Sequence, residues 1–334
     1  MENIITDIKS IKKTLAEYGV AIIPNILDEK ECAKFESGMF DYLEHVTQKF
    51  ETPIDRDNPE TFKEWYKLLP KHGMLQQHFW MGHAKFNWDL RMNNKIIDVF
   101  KNIYDTDELL VSFDGASFSP PHEITKRGYY KNNNWLHVDQ SFLRNDFECI
   151  QSWVTAKDVN EGDATLTVLV GSHNFHKKCA KEFKIEDKDD WYKLNEDKLN
   201  FYNNNGCRKL DIVCPAGSLV LWDSRTVHSG KEALKTRKKD NFRMVSYICY
   251  TPRSMASKKV IEKRIEAFEN MRTTSHWPHK CKMFPKNPRT YGDDLPNVQE
   301  IDFPVLNHIG MKLVGYDKCI TIFEEEKCIF VFEE

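Results

Sequence analysis

The run NWLHVDQSF, residues 134–142, places a histidine and an aspartate two positions apart, at His137 and Asp139. Side chains along a β-strand point alternately to its two faces, so an H-x-D pair on a strand brings both side chains to one face. Val138, between them, is then expected to point the other way, into packing. Imidazole and carboxylate together suit Fe(II) and disfavour a soft metal such as Cu(I). The run therefore predicts part of a metal site, with an ordinary surface pair as the alternative, because the chain has 12 histidines and 51 acidic residues.

The run LVLWDSRTVHSG, residues 219–230, supplies a further histidine, His228. Residues 214–218 are typical of a turn, 219–222 of a buried strand, 223–225 of a short turn and 226–228 of the start of the next strand. A histidine after such a turn can reach the mouth of a barrel; a core histidine bonded to a backbone carbonyl is the alternative. Two histidines and one carboxylate bind one face of Fe(II) and leave the opposite face open. We therefore interpret His137, Asp139 and His228 as the metal ligands and catalytic residues of a non-haem iron oxygenase that uses 2-oxoglutarate.

Arg243 stands at the head of a strand-like run that continues to Thr251. A planar guanidinium matches the geometry of a carboxylate, so we interpret Arg243 as the group that binds the far carboxylate of 2-oxoglutarate. Arg237 lies in a polar loop and Arg253 follows the strand, which makes both weaker candidates. A surface arginine on an edge strand is the alternative interpretation of Arg243.

The pattern along the chain predicts helices at both ends of a β-rich region. Residues 7–18 and 28–46 predict helices, the second with Asp28 as N-cap and Glu31 as its capping-box partner. Residues 51–95 are aromatic and irregular, and we expect them to cover one side of a barrel. Short β-rich runs separated by turn residues follow from about 109 to 255, as a barrel requires. An insert at 177–208 predicts a lid or a surface decoration, residues 255–272 an amphipathic helix, and residues 319–332 a late strand pair.

Four parts of the sequence resemble the phytanoyl-CoA hydroxylase (PhyH)-like family of Fe(II)- and 2-oxoglutarate-dependent dioxygenases. They are LAEYGVAIIPNIL at 15–27, LHVDQSF at 136–142, the central runs QSWVTA, DATL and VGSH between 151 and 173, and residues 217–230 with Phe242 and Arg243. The resemblance covers roughly residues 10–255. Family members often carry Gly then Ser after the distal histidine, whereas this chain has Ser229 then Gly230. A hydroxyl contact with the cosubstrate is therefore not expected at that place.

The resemblance implies a fold, a cofactor set and a site. The fold is mainly β with flanking helices (α+β), built on a double-stranded β-helix, a cupin-like jelly-roll barrel with iron at one mouth. The implied site has His137, Asp139 and His228 as iron ligands, Arg243 as the 2-oxoglutarate anchor and Trp153 near the cosubstrate, while His173 is structural. We expect a single oxygenase domain over 1–334, with an N-terminal cover at 1–105, a jelly-roll core at 106–255 that contains the insert, and an extension at 256–334 packed on the core.

Composition sets limits on location and partners. The hydrophobic and charged fractions, 40% and 30%, are ordinary for a globular protein. A net charge of −3 gives no global sign of a nucleic-acid partner. The chain has no run of 18 apolar residues and no apolar signal core in MENIITDIKSIKK, so we expect a cytoplasmic protein without a membrane span. Nine cysteines without a C-x-x-C are expected to be reduced and buried. His276, His279 and Cys281 imitate a metal cluster, but Pro278 argues against one helical face there, and we expect structural packing.

The predicted function is hydroxylation of a small organic substrate with Fe(II), 2-oxoglutarate and O2, which releases succinate and CO2. Asp139 favours hydroxylation over halogenation, because a halide-accepting variant of this family would lack the carboxylate ligand. The loop 231–243 carries six basic and two acidic residues; it is either a solvated surface or a sign of an anionic substrate. Two alternatives remain from other classes: an oxygenase that modifies nucleic acid or protein, and a non-catalytic binding protein on a jelly-roll scaffold.

Overall fold

Antiparallel strands dominate the middle of the chain in the computed structural model, which describes residues 2–69, 74–133, 135–289, 293–317, 320–324 and 327–331. The strands are β1 Val20–Ile23, β2 Leu109–Val111, β3 Ala116–Ser119, β4 His137–Val138, β5 Ile150–Thr155, β6 Thr165–Val170, β7 Tyr192–Lys193, β8 Arg208–Asp211, β9 Leu219–Asp223, β10 His228–Lys231, β11 Arg243–Tyr247, β12 Tyr250–Pro252, β13 Ile320–Glu324 and β14 Lys327–Val331. Within these ranges one sheet has the order β1-β9-β5-β11-β3, with β12 pairing both β2 and β5, and a second has the order β7-β4-β10-β6-β8. The chain is thus a mixed helix and sheet protein with antiparallel sheets.

Helices flank the sheets on both sides of the sequence. They are α1 Ile11–Tyr18, α2 Glu29–Val46, α3 Lys85–Arg91, α4 Asn94–Tyr104, α5 His122–Thr125, α6 His176–Glu182, α7 Glu196–Asn204, α8 Lys258–Glu269 and α9 His308–Val314, with short 3-10 segments at Glu2–Ile4, Pro59–Lys67, Met81–His83, Ser172–Phe175 and Arg253–Met255. The capping box predicted for α2 is confirmed, since the Glu31 backbone N–H donates to Asp28 Oδ1 at 3.0 Å and the Asp28 N–H donates to Glu31 Oε2 at 2.8 Å. None of the helices in the described ranges is long and apolar enough to cross a bilayer.

The two larger sheets share one apolar core. Trp153, Val220 and Val245 from the first sheet pack in the same buried cluster as Leu166 and Val168 from the second. Arg243 lies two positions before Val245 in β11, and Gln151 lies two positions before Trp153 in β5, so their side chains share the face that points between the sheets. The space between the sheets is therefore apolar along most of its length and polar at a few defined positions.

The strand that carries the H-x-D run is shorter than the sequence predicts. β4 includes His137 and Val138 only, and Asp139 is the first residue beyond it. The expected division of side chains is nevertheless confirmed, because Val138 is fully buried in a cluster on the outer side of the sheet. The second histidine run is also close to expectation, with β9, a turn and then β10, which begins at His228 rather than at Thr226.

The insert at 177–208 is part of the second sheet. It contributes α6, α7 and β7, and β7 pairs with β4 in the register His137↔Lys193 and Val138↔Tyr192. Its buried Tyr202 and Leu194 pack in one cluster with Val138. The insert therefore adds an edge strand directly beside the predicted metal strand.

The segment after β12 returns to the core. The guanidinium of Arg264 in α8 is fully buried and donates to the backbone carbonyls of Val111, Leu313, Val314 and Pro278. These bonds join α8, α9 and the segment between them to β2. The predicted late strand pair is confirmed as the hairpin β13–β14, while the Cys319 and Phe332 ends of that prediction lie outside the described residues.

Candidate metal centre

His137, Asp139 and His228 meet at one end of the space between the sheets. One possible ligand atom from each residue lies within 4.8 Å of the other two. His228 Nε2 is 3.2 Å from Asp139 Oδ2, and His137 Nε2 is 3.5 Å from Asp139 Oδ1. Ligand atoms about 2 Å from a common ion stand roughly 3 Å apart when they are adjacent, so the spacing fits one metal. Within the described ranges, His137, Asp139 and His228 form the group of His, Cys, Asp or Glu side chains whose spacing suits a metal ion.

Backbone carbonyls fix the ring nitrogen that each histidine presents to this centre. His137 Nδ1 lies 3.0 Å from the carbonyl oxygen of Trp135, and His228 Nδ1 lies 2.9 Å from the carbonyl oxygen of Thr226. A carbonyl accepts, so each Nδ1 carries the proton and each Nε2 keeps its lone pair. Hydrogen bonds of this kind orient metal-binding imidazoles and set their tautomer. His228 therefore makes the carbonyl bond through Nδ1, and its Nε2 is the nitrogen that could bind a metal.

Asp139 is ionised in this environment. Burial opposes its charge, but His137, His276 and His228 together hold the pKa of the Asp139 carboxyl well below its usual range. Gln151 Nε2 donates to Asp139 Oδ2 at 2.9 Å and so fixes the orientation of the carboxylate. Burial and the neighbouring His137 lower the pKa of His228. An ionised carboxylate beside a His228 imidazole whose pKa is lowered favours the protonation state that metal binding needs.

The turn between β9 and β10 positions the ligands relative to each other. The Asp139 and Gln140 backbone N–H groups donate to the Ser224 carbonyl at 3.3 and 3.1 Å. The Ser172 hydroxyl accepts from the Val227 N–H at 2.8 Å, immediately before His228. The turn at residues 223–225 thus holds the Asp139 end of the site, and the run VGSH at residues 170–173 holds the His228 end. His173 is structural as expected, since its Nε2 donates to the Ala16 carbonyl at 3.0 Å.

Arg243 is a buried cation without an ion-pair partner among the described residues. Its side chain points between the sheets and stacks over the Trp153 ring, with Cζ 5.3 Å from the ring centroid. Nη1 donates to the Ala164 carbonyl at 3.2 Å, Nη2 lies 3.4 Å from the Tyr247 hydroxyl, and Nε has no partner in the described structure. A desolvated guanidinium with free donors favours an anionic ligand.

The two rival arginines are both occupied. Arg237 forms ion pairs with Glu123 and Asp163 at 2.5 and 2.9 Å, and its side chain is only 2% exposed. Arg253 pairs with Asp317 and donates to the Gly315 carbonyl. The preference for Arg243 therefore agrees with the geometry. Of the basic residues in the loop 231–243, Arg237 is therefore not available to an anionic substrate, because Glu123 and Asp163 already neutralise its charge inside the fold.

Aromatic side chains line the His137 side of the centre. The Trp135 ring stacks on the His137 ring, with centroids 5.0 Å apart. The Trp191 ring of the insert also contacts the His137 ring, with centroids 5.5 Å apart. Trp222 lies 5.4 Å from the His228 ring. Trp191 is half exposed, whereas Trp222 is buried. The insert thus contributes one wall beside the predicted metal ligands, as a lid residue would.

Three residues at the site were not predicted from the sequence. Gln151 and Tyr247 lie two and four positions along a strand from Trp153 and Arg243, so the period of two marks them as inward-facing once those strands are known. His276 has no such signal; its Nε2 lies 4.0 Å from Asp139 Oδ2. His279 and Cys281 are buried, and within the described residues neither belongs to the His137–Asp139–His228 group.

The chain is similar to known proteins over most of its length. It is 27% identical over 270 residues to "Ava biosynthesis cluster protein O" of Aspergillus versicolor, which covers 78% of this chain and 83% of that protein. The hypothetical protein JW0805 of Escherichia coli has a similar fold, with a TM-score of 0.60 and 13% identity over 93% of this chain and 85% of that one. GIG2 of Candida albicans is similar with a TM-score of 0.52 and 15% identity, over 78% and 67% of the two chains. The sequence profile of the phytanoyl-CoA dioxygenase (PhyH) family matches residues 15–238, and the chain therefore belongs to this family.

Proposed function

We propose that this protein is an Fe(II)- and 2-oxoglutarate-dependent oxygenase that hydroxylates a small organic substrate. One observation carries the proposal: a compact His–Asp–His group, with both Nε2 atoms turned towards Asp139, lies in the same interior as a buried guanidinium that has no ion-pair partner among the described residues. The first suits a divalent metal with an open face. The second suits the distal carboxylate of a dicarboxylic cosubstrate. Membership of the PhyH family supports the same cofactor set.

His137, Asp139 and His228 would hold the iron, and Arg243 would hold 2-oxoglutarate by its far carboxylate. When bound, iron and 2-oxoglutarate supply the activation of O2, with succinate and CO2 as coproducts. The chain orients these groups, and Trp153 offers a flat apolar surface beside Arg243. Asp139 as a ligand favours hydroxylation over halogenation.

We also propose that the two antiparallel sheets form the double-stranded β-helix, or jelly roll, that the resemblance implies. The shared core between the sheets supports this assignment. The whole chain would then act as one oxygenase domain, with a cover at 1–105, a core at 106–255 containing the insert at 177–208, and an extension at 256–334. The buried Arg264 bonds support the last part, because they join the extension to β2.

A small organic molecule is the proposed substrate class. The tryptophans beside His137 offer apolar contacts, and the Aspergillus versicolor relative is named as a biosynthesis cluster protein. A nucleic-acid substrate has little support, since the net charge is −3 and Arg237 of the basic loop already forms ion pairs with Glu123 and Asp163. A non-catalytic role is disfavoured because the chain has all three proposed ligands and the proposed anchor, and loss of a ligand would be expected in a non-catalytic protein.

The test is cofactor-dependent turnover. The Fe(II)-loaded protein is incubated with 2-oxoglutarate and a metabolite extract, and both succinate and products that gain one oxygen atom are measured by mass spectrometry. We expect both signals, and we expect Asp139→Ala and His228→Ala to abolish them. Succinate formation that persists in both variants would contradict the proposed iron site, and a parent protein inactive in every extract would favour the non-catalytic alternative.

A further inference from the structure

His276 lies in the C-terminal extension, outside the part of the chain that matches the family profile. Four hydrogen bonds fix the segment around it: two join it to Phe113 of the core, and two lie within the extension. The Thr274 N–H donates to the Phe113 carbonyl at 3.0 Å, and the Phe113 N–H donates to the Thr274 hydroxyl at 3.1 Å. The Ser275 N–H donates to the Lys282 backbone carbonyl at 2.8 Å, and the Arg264 guanidinium donates to the Pro278 carbonyl at 3.1 Å. The position of His276 is therefore set by the fold rather than by a loose tail.

The imidazole of His276 points at the metal centre. Its Nε2 lies 4.0 Å from Asp139 Oδ2, and in the described structure this buried nitrogen has no hydrogen-bond partner. The ring packs against Trp277, with centroids 5.0 Å apart. His276 is not a member of the compact group formed by the three proposed ligands. It therefore approaches the carboxylate from outside that group.

Burying a polar nitrogen without a hydrogen-bond partner is destabilising, so His276 gains from any acceptor within reach. Asp139 offers one, because a carboxylate that binds a metal through one oxygen keeps the other for outer partners. Gln151 already donates to Oδ2, and a second lone pair on that oxygen remains. A movement of about 1 Å would bring the Nε2–Oδ2 distance to a normal hydrogen bond.

We propose that His276 is a positioning residue of the metal centre, which donates from Nε2 to Asp139 Oδ2 and so orients the carboxylate for metal binding. This inference rests on the proposed metal site and assigns a role to the extension. The family-matched segment provides the ligands, and the extension then completes their hydrogen-bonded surroundings. Partners of this kind commonly change metal affinity by about 10- to 100-fold.

The test uses the metal alone as probe. Co(II) is titrated calorimetrically into the metal-free full chain, with thermal unfolding of the same samples as a check on folding. His276→Ala should weaken Co(II) binding at least about 10-fold. His276→Gln, whose amide keeps a donor, should recover most of that loss. His279→Ala is the matched control, because it removes a buried histidine of the same segment that does not face Asp139; it should lower stability and leave Co(II) affinity unchanged.

Two results would overturn the inference. The first is an unchanged Co(II) affinity in His276→Ala, and the second is a His276→Gln variant as weak as His276→Ala. His228→Ala separates these from failure of the metal site itself. If His228→Ala loses Co(II) while His276→Ala keeps it, only the role of His276 is refuted. If His228→Ala also binds Co(II) like the parent, the proposed metal site is refuted with it.

Discussion

Individual hydrogen bonds decide the chemistry at the metal centre. The carbonyl oxygens of Trp135 and Thr226 hold the Nδ1 protons of His137 and His228, which leaves each Nε2 free. Gln151 fixes the carboxylate between them. Of the three arginines considered from the sequence, Arg243 alone lacks an ion pair in the described part of the chain. These contacts explain why the residues that suit iron by type also suit it by geometry.

At the residue scale, Arg243→Lys should weaken 2-oxoglutarate binding at least about 10-fold. Lysine keeps the charge but loses the two-pronged geometry and the stacking on Trp153. The measurement is an anaerobic titration of 2-oxoglutarate into the Fe(II) protein, followed by the visible charge-transfer band. Arg253→Lys is the matched control, since Arg253 pairs with Asp317 elsewhere, and it should bind like the parent. An unchanged affinity in Arg243→Lys would remove Arg243 from the cosubstrate site.

At the scale of elements, the insert is the least expected part of the fold. The pairing of β7 with β4 brings Trp191 to 5.5 Å from His137, although the two residues belong to different parts of the sequence. Short-range signals predicted the capping box of α2 and the turn before His228, because those patterns depend on neighbouring residues. The β7–β4 pairing depends on contacts across a long loop, which no local pattern encodes.

Trp191→Ala should open one wall of the site without unfolding the insert, because the side chain is 52% exposed. Access of water and reductants to a reactive iron site promotes side reactions. We therefore expect the Fe(II) and 2-oxoglutarate-loaded variant to lose activity in air several-fold faster than the parent when no primary substrate is present. Phe147→Ala removes another exposed aromatic, one that packs against Tyr104, and serves as the control. Equal inactivation rates for Trp191→Ala and the parent would show that Trp191 gives no protection.

The glycine that ends α1 shows a further limit of local prediction. Gly19 has a φ of 71°, and a Cβ at this position would lie 2.3 Å from His173 Nδ1. The left-handed end of a helix is a familiar place for glycine. The close approach to His173, by contrast, follows from how α1 packs on the VGSH run. The sequence shows a glycine where α1 ends, but it does not show that His173 packs closely against this glycine.

At the scale of the whole molecule, buried histidines make stability depend on pH. Burial lowers the pKa of His83 to about 3 and those of His176 and His279 to about 4. In the unfolded chain these groups take up protons near pH 6.5, whereas in the folded protein they stay neutral. The unfolded state therefore binds more protons below that pH, and stability falls as the pH drops from about 6.5 towards 4.

Each of these histidines should contribute about 2 kcal/mol to the loss of unfolding free energy at pH 5 relative to pH 7.5. Urea unfolding of the metal-free protein at both pH values measures the total. His176→Gln should reduce the difference in unfolding free energy between the two pH values by the contribution of one histidine. His308→Gln, at an exposed position, should leave this difference unchanged. A pH dependence unaltered in His176→Gln would mean that His176 is not held neutral by burial.

Some features of the site follow from local sequence motifs, whereas others depend on contacts between distant parts of the chain and could not be predicted. The ligand triad and Arg243 carry motif signals, because each begins or follows a strand in a recognisable run. The neutralisation of Arg237 depends on Glu123 and Asp163, which are 114 and 74 positions away. His276 reaches Asp139 only because Arg264 and Thr274 hold its segment on the core. Such tertiary placement has no local signature in the chain.

A crystal structure with Mn(II) and 2-oxoglutarate bound without oxygen, with the metal located by its anomalous signal, tests the proposed site most directly. We expect one Mn(II) ion bound by His137 Nε2, Asp139 and His228 Nε2, at distances near 2.1–2.2 Å. We also expect the far carboxylate of 2-oxoglutarate on the Arg243 guanidinium. A metal bound elsewhere, or a cosubstrate whose far carboxylate lies away from Arg243, would contradict the proposed site.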